Sequence, residues 1–253
     1  MNARRISWFS CGAASAVATK LALQEFPDTA IYYCEVKEEH PSNARFLRDC
    51  EQWFGRPITV IGNDEYNRSA KEVFLKTRFL VGPHGARCTG ELKRGLRWSN
   101  SRVDDINVLG YTVGEEKRLE RLLSSEPFAR FWPILIERGI QKSDCVSILK
   151  SVGIELPVMY RLGYKNNNCI GCVKGQAGYW NKIRHDFPEV FQEMAKIERE
   201  LDRKICKIEW REKGKRFLKR VFLDELPIDV GVYADEPEVE CGITCLETLD
   251  EIN

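Results

Sequence analysis

Short apolar runs alternate with helical stripes over the first 150 or so positions of this 253-residue chain. Positions 6–9 form a strand-like run, and the alanine-rich stretch 14–26 reads as a helix. A second run, 29–35, leads to 42–54, where Ala44, Phe46, Leu47, Cys50, Trp53 and Phe54 make an apolar stripe at helical spacing. Positions 57–61 predict a third strand and 106–111 a fourth, after a helix carrying Leu92, Leu96 and Trp98. A helix over 114–123 and a strand over 131–136 follow. Such alternation predicts an α/β fold with a Rossmann-like parallel sheet, helices on both faces, and ligands at the carboxyl ends of the strands. Positions 143–152 predict one more helix, with Ser143 as its N-cap. Past Pro157 the pattern changes. Helical stretches at 177–185 and 188–204 precede a charged segment and an acidic tail. From about Gly214 the tail has few apolar residues and is expected to order only on ligation of its cysteines. The division expected is an α/β domain over 1–155 and a smaller, helical, cysteine-containing part over 156–253.

Lys and Arg number 39 against 38 Asp and Glu, a net charge of +1. No overall field therefore argues for nucleic acid or membrane, and basic runs at 68–78 and 213–216 read as solvated faces. No apolar run approaches the roughly 20 residues of a membrane span. The opening residues lead into a strand, not into an export signal, so a soluble cytoplasmic protein is expected. Ten cysteines in a reducing compartment favour metal binding or thiol chemistry over disulfides. Cys11, Cys34, Cys50, Cys145 and Cys206 fall in ordinary strand, turn or helix positions. Cys88, Cys169, Cys172, Cys241 and Cys245 are the candidates for chemistry.

The turn Ser10-Cys11-Gly12-Ala13-Ala14-Ser15 joins the first strand to the first helix. Backbone amides around Gly12 and Ala13, the hydroxyls of Ser10 and Ser15 and the helix dipole together suit a phosphate. Downstream, Cys88-Thr89-Gly90-Glu91-Leu92-Lys93, then the 110–118 segment with Glu115 and Arg118, then Pro157 to Tyr164 followed by Cys169-Ile170-Gly171-Cys172, and finally Glu240-Cys241-Gly242-Ile243 occur in an order that resembles the phosphoadenosine and adenosine phosphosulfate reductases of the PP-loop superfamily. The resemblance covers about residues 6 to 245. It implies an adenine nucleotide or sulfonucleotide held by Ser10, Gly12, Ala13, Ser15, Lys93 and Arg118, with a thiol or electron-donor protein as partner. Departures are Ala14 where pyrophosphate-cleaving members carry aspartate, Thr89 for a second cysteine, Thr112 for an arginine, and Thr244 for the tail histidine. Ala14 counts against ATP-driven adenylation.

Lys93 offers a flexible point charge and Arg118 a planar one, both suited to phosphate or sulfate oxygens. Arg87, Arg94 and Arg97 read as solvated. Cys169-x-x-Cys172 can clasp a metal ion or cluster, and Cys241 with Cys245 supplies a second pair. Four thiolates suit zinc or a [4Fe–4S] cluster alike. The 80 residues between Cys88 and Cys169 are close to the separation in cluster-bearing reductases, and the resemblance thus implies iron–sulfur, with zinc as the alternative. Two ligand sets stay open. In the first, Cys169, Cys172, Cys241 and Cys245 close the site. In the second, Cys88 replaces Cys241, which is then a nucleophile. His40 is placed near the nucleotide, His84 in a covering loop and His185 on a helix surface. Three functions follow: a sulfonucleotide-reductase-like oxidoreductase, an ATP-dependent sulfur-transfer or nucleic-acid-modifying enzyme (the one reading with a nucleic-acid partner), and a non-catalytic nucleotide-binding redox or structural protein.

Overall fold

The computed structural model describes residues 3–82, 85–212, 215–239 and 241. Cys245 and His84 lie outside the described residues. In chain order, β1 (Arg5–Phe9), α1 (Ala13–Glu25), β2 (Ala30–Cys34), α2 (Asn43–Phe54) and β3 (Thr59–Ile61) realise the predicted alternation. Helix α3 (Ala70–Thr77) and a short pair, β4 (Val81–Gly82) with β5 (Gly85–Ala86), lead into an unbroken helical stretch. That stretch is α4 (Arg87–Thr89), a π-helical turn over Gly90–Arg94 and α5 (Gly95–Asn100). There follow β6 (Ile106–Val108), α6 (Glu116–Ser125), β7 (Arg130–Trp132), α7 (Ile134–Glu137), α8 (Lys142–Ser151), α9 (Val158–Arg161), α10 (Ala177–Asp186) and α11 (Pro188–Leu201). The hairpin β8 (Cys206–Glu212) and β9 (Lys215–Val221) closes the regular structure.

The main sheet has five parallel strands in the order β3-β2-β1-β6-β7, which is the expected α/β architecture. Successive strands run one way from β1 to β3, and β6 and β7 lie on the other side. The order therefore reverses at β1, and the crevice for a ligand opens beyond its carboxyl end. Helix α1 sits tightly on β1 because its inward positions are small. The Ser7 and Thr19 hydroxyls are 2.7 Å apart, and Thr19 donates onward to the Ser15 carbonyl. Phe9 stacks on Phe46 and meets Phe54 edge-on, so α2 seals the same face.

A second apolar cluster combines Tyr66, Val73, Phe74 and Leu92 with Met159, Trp180, Met194 and Leu223. Segments before and after residue 155 thus share a core.

Several expectations are corrected. The run 131–136 is not one strand: Pro133 has no N–H to pair, and Ile134–Glu137 turns helical after it. Helix α8 begins at Lys142, and the Asp144 carboxylate accepts the Gln141 N–H at 2.8 Å, so Gln141 and not Ser143 is the cap. The tail is packed through Val239 on side-chain contacts of its own. Leu223 and Leu226 are buried, and the Glu236 carboxylate accepts the Tyr179 N–H at 2.9 Å and the Gly178 N–H at the start of α10. Among the described residues no helix is long and apolar enough to cross a membrane.

Candidate functional site

The turn after β1 emerges at the reversal point of the sheet. Cys11 holds the left-handed conformation, φ +54°, a conformation glycine adopts most readily. Ser15 Oγ is the hub of the turn: it accepts from the Ser10 N–H at 3.1 Å and the Gly12 N–H at 3.3 Å, and donates to the Gly12 carbonyl. The Tyr160 hydroxyl accepts the Ala13 N–H at 3.3 Å, the place an anionic oxygen would take. Asn167 donates to the Cys11 carbonyl at 2.8 Å and to Asn43 Oδ1 at 2.9 Å. The segment leading to the Cys169 turn is therefore tied directly to the phosphate-like turn. Gly110 presses on it from the other side; a Cβ there would lie 2.7 Å from Ser15 N and Cα.

Deeper in, Glu39 is buried and fully used. Its carboxylate accepts from Tyr33 Oη at 2.7 Å, Asn43 Nδ2 at 2.9 Å and Lys93 Nζ at 3.1 Å. Lys93 comes from the π-helical turn and is buried too. Burial alone would lower its pKa, but Glu39 and the thiols of Cys241 and Cys169 outweigh it and hold the ammonium charged. The charge expected at the nucleotide thus lies between the turn and the cysteines.

Cys88, Cys169 and Cys241 feel the field of this ammonium, and Cys172 is a charge neighbour of Cys88 and Cys169. Cys88 is raised in pKa chiefly by burial and then by its neighbours Cys241 and Cys172. Cys169 is raised by burial and, more weakly, by Glu39, Cys241 and Cys172. Cys241 is opposite in sign: burial is overcome by Lys93, Lys174 and the Thr89 hydroxyl, which lies 3.9 Å from its sulfur, and the thiol falls below its ordinary value. Tyr179 fixes the Cys-x-x-Cys turn by accepting the Cys172 N–H at 2.9 Å and donating to the Cys169 carbonyl at 3.3 Å. Gly171 is required there, since φ is +76° and a Cβ would meet Val190 at 2.8 Å. Among the described residues no group of three or more His, Cys, Asp or Glu is arranged to hold a metal ion. The donor set itself is four sulfurs beside two cations. Thiols of this kind suit zinc or an iron–sulfur cluster alike.

Of the other expected residues, Arg118 binds Glu115 at 2.7 Å and covers the Tyr111 ring at 4.5 Å. The same Glu115 accepts from the Thr112 N–H and hydroxyl, so it organises the 112–118 turn next to Gly110. His40 accepts the Ser42 N–H at 3.0 Å and faces Phe187; burial, then Arg161, lowers its pKa. Arg97 is not solvated as expected but buried, paired with Glu126 and lying over Phe131. A cleft of about 530 Å³ opens between α3 and α11, with Glu39, Lys71, Ile170 and Glu193 in its walls. It contains none of Ser10, Gly12, Ala13 or Ser15.

Sequence reasoning overlooked Glu39, Asn167, Lys174 and Tyr179 as parts of the site. Only the Glu39/Asn43 pair carries a signal, an acid and an amide four residues apart at the end of a strand. No protein-family model matches the chain, and no curated protein matches it.

Proposed function

We propose that this chain is an enzyme of the phosphosulfate-reductase type, binding an adenine nucleotide at the 10–15 turn and carrying a [4Fe–4S] cluster on Cys88, Cys169, Cys172 and Cys241. The observation that carries the reading is the mutual electrostatic coupling of these thiols, three of them with Lys93, itself bonded to Glu39. This ligand set differs from both sets read in the sequence, because Cys88 and Cys241 both stand with the Cys169–Cys172 pair. When bound, the cluster would supply a fixed electrostatic and redox centre next to the nucleotide. An incoming phosphate would take the Gly12 and Ala13 N–H groups and the Ser10 hydroxyl from Ser15 Oγ and Tyr160 Oη, with the Lys93 ammonium close to the thiolates.

In such chemistry a thiolate attacks the sulfur of the sulfonucleotide and the nucleotide phosphate leaves. A second thiol then displaces sulfite and leaves a disulfide. With Cys241 committed as a ligand, the attacking thiol is Cys245 or belongs to a thiol donor protein. The test is anaerobic purification with iron, sulfide and zinc analysis, followed by sulfite release from adenosine phosphosulfate and its 3′-phosphorylated form. Iron and sulfide with sulfite release support the reading. Stoichiometric zinc without sulfide, or turnover of ATP to AMP, would overturn it.

A further inference from the structure

Tyr160, on α9, carries a hydroxyl whose hydrogen bonding is half complete. Its oxygen accepts the Ala13 N–H at 3.3 Å, and the Asn167 N–H faces the same atom. A phenol oxygen that accepts still has a proton to donate. Among the described residues no acceptor takes it. Glu238 is a carboxylate whose charge reaches this hydroxyl, but it is engaged by Lys142 Nζ at 2.6 Å and Asn166 Nδ2 at 3.1 Å.

The hydroxyl is also held in place. The Tyr160 ring is half-buried and packs against the apolar cluster containing Ala13, Cys145 and Leu149. Just upstream, Val158 donates its N–H to Ser42 Oγ at 3.2 Å. Downstream, Asn167 donates to the Cys11 carbonyl at 2.8 Å. The oxygen stands over Gly12 too, 3.5 Å from where a Cβ would lie. Tyr160 therefore faces both amides that would receive a phosphate. An anionic oxygen that takes the Ala13 N–H displaces Oη from that amide and becomes the acceptor the phenol proton lacks. A donor placed before its ligand arrives loses little conformational freedom on binding.

We propose that Tyr160 is a phosphate-binding residue, its hydroxyl donating to the oxygen that replaces it on the Ala13 N–H. The phosphate is then held between the 10–15 turn and the segment that runs on to Cys169. This rests on the nucleotide reading above and adds to it a ligand from outside the turn.

The test is Tyr160→Phe, which keeps the ring in its packing and removes only the hydroxyl. Calorimetry on the full chain with AMP and with adenosine separates the phosphate contact from the rest of the nucleotide. Hydrogen bonds to charged groups are among the stronger ones, so AMP affinity is expected to fall about ten-fold. Adenosine affinity and the melting temperature are expected to stay as in wild type. The sign is decisive because two effects oppose each other. Phenylalanine leaves the Ala13 N–H open, so a hydroxyl that only blocked the amide would give tighter AMP binding on its removal. Unchanged or tighter AMP binding, or equal losses for AMP and adenosine, would overturn the proposal and leave the nucleotide reading standing. A wild type that binds no AMP would overturn both.

Discussion

Lys93 Nζ stands 3.1 Å from Glu39 Oε1, and both side chains are buried. This pair joins the two halves of the site, since the thiols of Cys169 and Cys241 feel the same ammonium. Breaking a buried pair strands a charge and typically costs about 3–5 kcal/mol, whereas replacing both partners is far milder. We expect Lys93→Met and Glu39→Gln each to lower stability by about 3 kcal/mol. The double variant should recover most of that loss. Urea denaturation of the four proteins closes the cycle; additive losses would show that the two groups are not coupled.

Two glycines near the turn separate packing from ligand contact. A Cβ at Gly12 meets its nearest neighbours, Tyr160 Oη and Ser10 Oγ, at 3.5 and 3.6 Å, which is ordinary contact. Gly12→Ala should therefore fold with unchanged stability and still weaken an adenine nucleotide that sits over the amide. At Gly110 the same Cβ strikes the Ser15 backbone at 2.7 Å, so Gly110→Ala must push the start of α1. We expect it to lose about 1–3 kcal/mol of stability and nucleotide affinity together. Calorimetry with AMP, alongside thermal melts, distinguishes the two. Equal AMP affinity in Gly12→Ala and wild type would place the nucleotide elsewhere.

The parallel sheet was legible because each buried strand is a short apolar run bounded by turn residues, and the 10–15 turn was legible because small residues cluster there. The errors share a cause, which is that long-range partners leave no local mark. Arg97 reads as a surface cation until Glu126, 29 positions away, neutralises it in the core. Lys93 reads as a free phosphate ligand for the same reason, Glu39 being 54 positions upstream. In the hairpin, period-two apolar positions at Cys206, Ile208 and Trp210 were hidden by the charged residues Lys207, Glu209 and Arg211 between and beyond them. The tail orders because Leu223, Leu226 and Glu236 find partners on α10 and α11 that sequence spacing does not reveal.

Glu198 offers a test of how the second half is held. Its buried carboxylate accepts the Ile205 and Leu223 N–H groups, joining α11 to the root of the hairpin and to the tail. Burial raises its pKa to about 7, the two N–H groups opposing this only in part. A carboxyl raised in the folded state binds its proton more tightly folded than unfolded. Its contribution is therefore complete below the ordinary carboxyl range near 4.5 and is lost as pH climbs to about 7. We expect wild type to lose about 2–3 kcal/mol across that window relative to Glu198→Gln. Denaturation midpoints at closely spaced pH values read the difference, and parallel profiles for the two proteins would remove Glu198 from the account.

Five cysteines compete for four places in the cluster, and single serine replacements decide among them. Cys88, Cys169, Cys172 and Cys241 share one electrostatic neighbourhood, which makes each a ligand in the arrangement favoured here. Loss of any one should remove most of the iron per chain. Cys169→Ser and Cys172→Ser should also lower the melting temperature, because ligation energy is folding energy. Cys245→Ser should keep its iron, and if Cys245 is the attacking thiol it should lose sulfite release at the same time. The contrary pattern is equally readable. A ligand thiolate has its lone pairs committed to metal and cannot attack sulfur without breaking the site. Full iron with abolished sulfite release in Cys241→Ser would therefore make Cys241 the nucleophile. The low pKa that Lys93, Lys174 and Thr89 impose on it would then serve attack on the sulfonucleotide in place of ligation.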